Sequence, residues 1–228
     1  MSELKRILLE HNIPEDKADL FEKYAEMIVE TNKSFNLTRI LSEEDMAIKH
    51  FIDSIAATDY IPEGAKVIDV GTGAGFPIVP LAIMRSDIRA TAVESSEKKL
   101  GFVKSVSDRL GLNIECVCAR AEELAQQAEY REQFDHCVSR AVAALPVLLE
   151  LGLPFVKVGG SMLAYKGALA AEEAAAAENG AKILGADKVV LHNAEIDGTA
   201  HCITEYKKIK HTHNKYPRRY AQIKKSPL

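Results

Sequence analysis

The sequence predicts a Rossmann-like α/β fold, with a seven-stranded, mostly parallel sheet, an antiparallel edge hairpin and a helical N-terminal extension. Three observations predict it. From residue 65 onward, short β-branched runs alternate with runs of helical period, the pattern of a parallel sheet with right-handed crossovers. The first such run, Val67-Ile68-Asp69-Val70, feeds straight into Gly71-Thr72-Gly73-Ala74-Gly75, and ligands of these sheets bind at the carboxyl ends of the strands. The last two runs are separated only by the Asp197-Gly198 turn region, with no helix between them, so they read as a hairpin.

Leu4, Ile7 and Leu8 mark one face of a first helix. Pro14 opens a second, where its missing N–H costs nothing, and Leu20, Phe21, Tyr24, Ile28 and Val29 form its apolar stripe. A polar loop from Asn32 to Thr38 follows. Ser42 caps a third helix, with Asp45 three residues on, that runs to about Thr58. Strands are expected near 66–70, 89–94, 113–118, 134–139, 160–165, 187–192 and 201–208, and helices near 76–85, 96–110, 121–129, 143–157 and 168–179. The last helix is alanine-rich from Ala174 to Ala177 and is expected to stop at Gly180. The chain thus divides into a helical extension (1–60), a Rossmann-like domain (61–210) and a basic tail (211–228).

A chain of 228 residues suits one such domain with a short appendage, and 47% apolar residues are enough for a packed core. Cys116, Cys118, Cys137 and Cys202 form no C-x-x-C pair and sit in strand-like runs, so they read as buried, reduced thiols suited to a cytoplasmic location. The N-terminus carries acids and no apolar leader, and the longest apolar run, Phe76 to Met84, is interrupted by Pro77 and Pro80, so no membrane partner is expected. The net charge is −4, but Lys207 to Leu228 holds eight basic residues and no acid; taking those eight away leaves −12 on the remainder. A basic arm on an acidic body points to a polyanionic partner, with a disordered, solubilising tail as the alternative. His211 and His213 read as solvated tail residues, and no His/Cys cluster has metal-ligand spacing, so no metal is expected.

The glycines let the turn reach positive φ and let a ligand touch the backbone. Glu94, at the end of the next strand, can accept hydrogen bonds from both hydroxyls of a ribose. Which nucleotide follows from the spacing. A dinucleotide loop needs G-x-G-x-x-G, whose third glycine permits close packing beside a pyrophosphate. Here the loop is G-x-G-x-G, and Phe76 stands where that third glycine would be. The ring disfavours a pyrophosphate and suits the methionine arm of S-adenosylmethionine, with NAD as the alternative. After the third strand, Ala121 and Glu122 are placed to meet an adenine edge, although an acid in a first helical turn is favoured anyway. After the fourth, Arg140 can contact a cofactor carboxylate or a substrate phosphate, or make a surface ion pair. The predicted cofactor set is Gly71, Gly73, Gly75, Phe76, Glu94, Ala121, Glu122 and Arg140.

Several motifs together resemble the bacterial small-subunit ribosomal RNA guanine-N7 methyltransferases, the glucose-inhibited division protein B family. Asn32 to Thr38 resembles its N-x-x-x-N-L-T signature, His50 to Ser54 its H-x-x-D-S motif, and Asp69 to Pro77 its D-V-G-x-G-x-G-x-P loop. Glu94 to Lys99 resembles its E-S-x-x-K-K segment, and Ser139-Arg140-Ala141 and Tyr216-Pro217-Arg218 also fit. The resemblance implies a class I methyltransferase that modifies N7 of one guanine near the decoding region of 16S rRNA, with cofactor contacts at Gly71, Phe76, Ala121, Glu122 and Arg140. Its partner would be 16S rRNA or the small ribosomal subunit, and the protein is expected to act as a monomer.

Absences narrow the chemistry. The Asn/Asp-Pro-Pro-Tyr/Phe motif of amine-directed methyltransferases is missing, and Cys137 lies inside a strand rather than at a nucleophile's position. A direct in-line transfer without a general base is therefore expected, with no certain catalytic residue. His50, Asp53 and Arg140 are candidates for positioning the substrate; His50 and Asp53 read equally well as ties that hold the N-terminal helix to the domain. Lys215, Tyr216, Arg218, Arg219, Lys224 and Lys225 are expected to bind RNA, with Tyr216 and Tyr220 interleaving the charges as stacking platforms. A methyltransferase acting on another RNA, a protein or a small molecule is the alternative, and a nucleotide-binding RNA module without catalysis is a third reading.

Overall fold

The computed structural model describes residues 1–228, with every side chain except that of Lys188. Seven strands, β1 (Lys66–Val70), β2 (Arg89–Glu94), β3 (Ile114–Cys118), β4 (Phe134–Arg140), β5 (Val156–Lys166), β6 (Ala186–Ile196) and β7 (Thr199–Lys208), form one sheet in the order β3-β2-β1-β4-β5-β7-β6. β1 to β5 pair in parallel; β7 is antiparallel to both β5 and β6. The predicted hairpin is present, turning through Asp197 and Gly198 at φ 48° and 69°. Its second strand lies inside the sheet, between β5 and the edge. Strand order reverses between β1 and β4, which opens a crevice at their carboxyl ends.

The strands alternate their side chains between two apolar layers. Val67, Ala90, Val138 and Leu163 face one layer; Ile68, Val93, Cys137 and Met162 face the other. The first layer holds α1 (Glu3–Glu10), α2 (Glu15–Asn32), α3 (Glu43–Asp45), a π-helical Met46–Ile52 continuing into α4 (Asp53–Ile55), α5 (Ile78–Met84) and α6 (Glu97–Leu110). The N-terminal helices therefore fill the same core as two helices of the Rossmann crossover. Ser42 caps α3 as expected, its Oγ accepting from Asp45 N at 3.2 Å. Val29, expected in the apolar stripe, is 38% exposed.

The second layer holds α7 (Ala121–Leu124), α8 (Leu145–Gly152), α9 (Ala170–Ile183) and α10 (Tyr220–Lys225). Three expected boundaries shift. α7 stops after four residues instead of reaching 129, because the chain then enters turns around the Arg131 guanidinium, which donates to Ala125 O at 3.1 Å. The helix expected to reach 157 ends at Gly152, gives way to a 3-10 turn at Leu153–Phe155, and β5 begins at Val156; Pro154 cannot continue an α-helix. α9 runs through Gly180 rather than stopping there. The glycine makes room, since a Cβ on it would lie 3.2 Å from Leu228.

The C-terminal segment corrects the largest expectation. It is a packed strap, with Thr212, Tyr216 and Ile223 buried. Lys208, counted in the basic arm, is fully buried, its Nζ donating to Leu153 O, Val156 O and Thr212 Oγ1 at 2.7, 3.2 and 2.7 Å. Burial lowers its pKa to about 8, against the opposing pull of Glu132. Arg218 donates through its own N–H, Nε and Nη2 to Glu150, which is 0% exposed. Cysteines 137 and 202 are buried and free as expected; Cys116 is half-buried and Cys118 exposed, because β3 is an edge strand.

Candidate active site

The glycine loop leaves the end of β1 held to its neighbour strand, with Gly71 N and Thr72 N donating to Val93 O at 2.9 and 3.1 Å. It closes on itself through Gly75 N and Phe76 N, which donate to Thr72 O. All three glycines have positive φ. Two are also required by space: a Cβ on Gly71 would sit 2.6 Å from Val142 Cγ2, and one on Gly75 would sit 2.7 Å from the Tyr24 hydroxyl. That hydroxyl, buried on α2, donates to Ala74 O at 2.6 Å, so the N-terminal layer props the loop from beneath. Asp69, buried under the loop, is pushed up to about 8 by burial, which outweighs the Thr72 hydroxyl and the Ile78 N–H.

Three cavities follow one another along the carboxyl ends of the strands. The first, about 120 Å³, lies among Glu94, Ala121, Glu122, Val142, Leu151 and Tyr220. The second, about 430 Å³, lies over the glycine loop, among Gly71, Gly73, Phe76, Glu94, His50 and Arg140. The third, about 470 Å³, is bordered by His50, Asp53, Arg140, Tyr165, Lys166 and His201. Glu94 and Val142 stand where the first two meet, and His50 and Arg140 stand where the second and third meet. Glu94 accepts from Gly73 N at 3.1 Å and Ser96 N at 2.9 Å, which fixes its carboxylate at the first junction.

S-adenosylmethionine fits this arrangement. An acceptor carboxylate lies between a narrow apolar slot, suited to a purine, and a roomier cavity floored by bare glycine backbone. Of the predicted cofactor set, every residue but Gly75 borders one of these two cavities. Gly75 acts beneath the loop, where Tyr24 and Val79 leave no room for a side chain.

Arg140 organises the far wall. Its Nη1 donates to Lys49 O at 3.0 Å and to Asp53 Oδ2 at 2.7 Å, its Nη2 meets His50 Nδ1 at 3.1 Å, and the guanidinium lies 4.8 Å from the Phe76 ring centroid. Arginine can only donate, so His50 Nδ1 accepts. The His50 proton is then on Nε2, which meets Thr38 Oγ1 at 2.8 Å. The His50 ring also stacks on Phe76 at 4.3 Å. Burial, and then the Arg140 charge, lower the His50 pKa to about 4. Asp53 gives its second oxygen to His201 Nδ1 at 2.7 Å. Asn32 Oδ1 accepts from Leu37 N and Thr38 N, which shapes the loop that brings Thr38 to His50.

The three predicted positioning residues are therefore in mutual contact, although they come from a helix near residue 50 and a strand end at residue 140. Thr38 sits inside a motif without an assigned role, Tyr24 reads from the sequence only as part of an apolar stripe, and nothing in the sequence marks His201 or Val142. The predicted RNA set divides. Lys215, Arg219, Lys224 and Lys225 are exposed. Tyr216 is buried and cannot stack on a base, and Arg218 is engaged by Glu150. Cys137 is fully buried and burial pushes its thiol above the usual range, which removes it as a nucleophile. Among the described residues no His/Cys/Asp/Glu group could hold a metal ion, and no helix is long and apolar enough to cross a membrane.

Known proteins with similar sequences cover most of the chain. Residues 17–201 match the family described as GidB, rRNA small subunit methyltransferase G. Proteins named ribosomal RNA small subunit methyltransferase G are similar at 42% identity in Pelotomaculum thermopropionicum (95% of this chain, 92% of that one) and 40% in Leuconostoc citreum (95% and 93%). Among solved structures, an O-methyltransferase from Bacillus cereus in complex with SAH superposes with a TM-score of 0.60 at 18% identity, covering 91% of this chain and 98% of that one. M. jannaschii TYW2 in complex with AdoMet gives 0.54 at 16% identity, over 69% and 75%. These last two share the fold.

Proposed function

The chain belongs to the rRNA small subunit methyltransferase G family, and from that premise we propose that it methylates N7 of one guanine in the decoding region of 16S rRNA, using S-adenosylmethionine and no general base. The observation that carries the mechanism is the row of three cavities, with His50 and Arg140 bordering the junction of the second and third. Gly71, Gly73, Phe76, Glu94, Ala121, Glu122 and Arg140 hold the cofactor across the first two, and the third receives the base. When bound, the cofactor supplies an electrophilic methyl group on a sulfonium sulfur.

Guanine N7 bears no proton and its lone pair lies in the ring plane, so a base has nothing to remove. The site agrees with that requirement. Both ring nitrogens of His50 are occupied, by Arg140 and Thr38, and both oxygens of Asp53 are occupied, by Arg140 and His201. These residues hold one another in place at the junction and align the base with the cofactor there. Alignment of this kind can supply about 7–11 kcal/mol. N7 is buried in the deep groove of an RNA helix, so the target lies in a loop or splayed strand. Lys215, Arg219, Lys224 and Lys225 would bind RNA phosphates, giving an affinity that falls steeply with salt. The small ribosomal subunit, in the cytoplasm, is the natural setting for this substrate.

Methyl transfer from tritiated cofactor into purified small-subunit RNA tests the activity, with the product mapped by borohydride reduction and aniline cleavage. Cleavage at one guanine is expected; a methylated product that resists cleavage refutes N7. Glu94→Ala, which loses a charge-assisted contact to two hydroxyls, should weaken S-adenosylhomocysteine binding roughly tenfold to a hundredfold by calorimetry. Unchanged affinity refutes the assignment of Glu94.

A further inference from the structure

The narrow slot beside Glu94 is bordered by one residue from outside the Rossmann fold, Tyr220, the first residue of α10. Its position is fixed by the strap that precedes it. Gln126 Nε2 donates to Pro217 O at 2.9 Å and Arg131 Nη1 to Tyr216 O at 2.9 Å. Arg218 is clamped on buried Glu150, and Ile223, one turn beyond Tyr220, is fully buried against the second apolar layer. Anchors on both sides therefore hold the Tyr220 ring at the slot, where it remains 38% exposed. Val142, whose side chain stands over Gly71, also borders the slot.

We propose that Tyr220 is a cofactor-binding residue whose ring forms one wall of the adenine site, so that the C-terminal strap completes a pocket begun by the strands. The slot's chemistry selects a flat heteroaromatic ligand. Val70, Val93, Val142 and Leu151 line it with apolar surface, and its carboxylates, Glu94 and Glu122, lie where a ribose and a purine edge need acceptors. An aromatic face adds the remaining element, since base–aromatic stacking is tolerant of ring type and strong for its area. The inference rests on the methyltransferase reading, and it replaces the role in RNA stacking that the charge pattern around Tyr220 suggests.

Calorimetry with S-adenosylhomocysteine on the full-length protein tests it. Tyr220→Ala should weaken binding roughly fivefold to a hundredfold, while Tyr220→Phe keeps near-native affinity because only the ring is needed. The chain has no tryptophan, so in Tyr220→Trp the indole at position 220 is the sole such fluorophore. Its emission should be quenched by S-adenosylhomocysteine and by adenosine, but not by homocysteine. If wild type binds S-adenosylhomocysteine and Tyr220→Ala binds it equally well, with any loss confined to affinity for small-subunit RNA, the proposal is overturned while the cofactor reading stands. If wild type fails to bind it at all, the cofactor reading falls and the proposal with it.

Discussion

Two segments flank the sheet, and they are fastened to it by different physics. The N-terminal helices hold on through area: Leu4, Leu8, Phe21, Ile28 and Phe51 are buried in a core continuous with α5 and α6. The C-terminal strap has few apolar anchors, Tyr216, Ile223 and the partly buried Leu228, and depends largely on directional bonds with Gln126, Arg131, Lys208 and Glu150. Each segment delivers something to the crevice: the first brings Tyr24 and His50, the second Tyr220. Apolar attachment spreads its energy over many contacts, so its loss is felt globally. Polar attachment concentrates it in a few bonds, so one lost partner can release the segment while leaving the rest folded.

The largest effect is expected from Phe51→Ala. Phe51 is fully buried and stacks on Phe21 at 4.8 Å and Tyr24 at 5.5 Å. The expected loss is about 3–5 kcal/mol of global stability, read as a lower denaturant midpoint. A loss confined to hydrogen exchange in the first 60 residues would break the contrast. Arg218→Ala comes next, at about 3 kcal/mol, because it leaves Glu150 buried and unpaired. Protection should fall locally across 211–228, with the sheet unchanged. Glu150→Ala should cost less, since the partly exposed Arg218 can turn to water.

His50 gives a test by pH. Its folded-state pKa of about 4 lies below its ordinary 6.5, so between those values the unfolded chain binds the extra proton and stability falls on acidification. Asp69, raised to about 8, contributes the opposite slope over the same range. Comparison with His50→Asn isolates the histidine: relative to that variant, wild type should lose up to about 3 kcal/mol between pH 6.5 and 4. Parallel curves would show that His50 titrates normally. The smallest effect is expected from Tyr24→Phe, which removes only the hydrogen bond to Ala74 O. About 0.5–1.5 kcal/mol is expected, with a slightly weaker grip on S-adenosylhomocysteine. A loss as large as that of Phe51→Ala would place the segment's hold in polar bonds after all.

The same contrast explains what could be read in advance. Val67 to Val70, the glycines, Glu94 and the Asp197-Gly198 turn carry their meaning locally, in a β-branched run, a conformational need or a position after a strand. Leu4, Ile7 and Leu8 carry theirs in a helical period. The strap has neither kind of signal. Arg218 next to Arg219 reads as surface charge, and only the fold shows that one meets a buried carboxylate 68 residues away in sequence. His201 was hidden likewise: it lies in an ordinary strand alternation, and its partner Asp53 is 148 residues earlier. Gly180 reads as a helix stop because the residue that needs its missing Cβ is at the other end of the strap.

The place of β7 has a consequence for how the chain is made. The crevice strands β1 to β4 are complete once residue 140 has been synthesised, but β5 must wait for a neighbour that comes after the strand beyond it. A nascent chain ending at Ile196 holds β6 with nothing to pair to and β5 with an open edge. At about 5–20 residues per second, that edge stays bare for a few seconds on every ribosome that makes the protein. An unpaired strand edge is a template for other chains. Chains released before residue 208 should therefore aggregate, although they already contain every strand that borders the cofactor crevice.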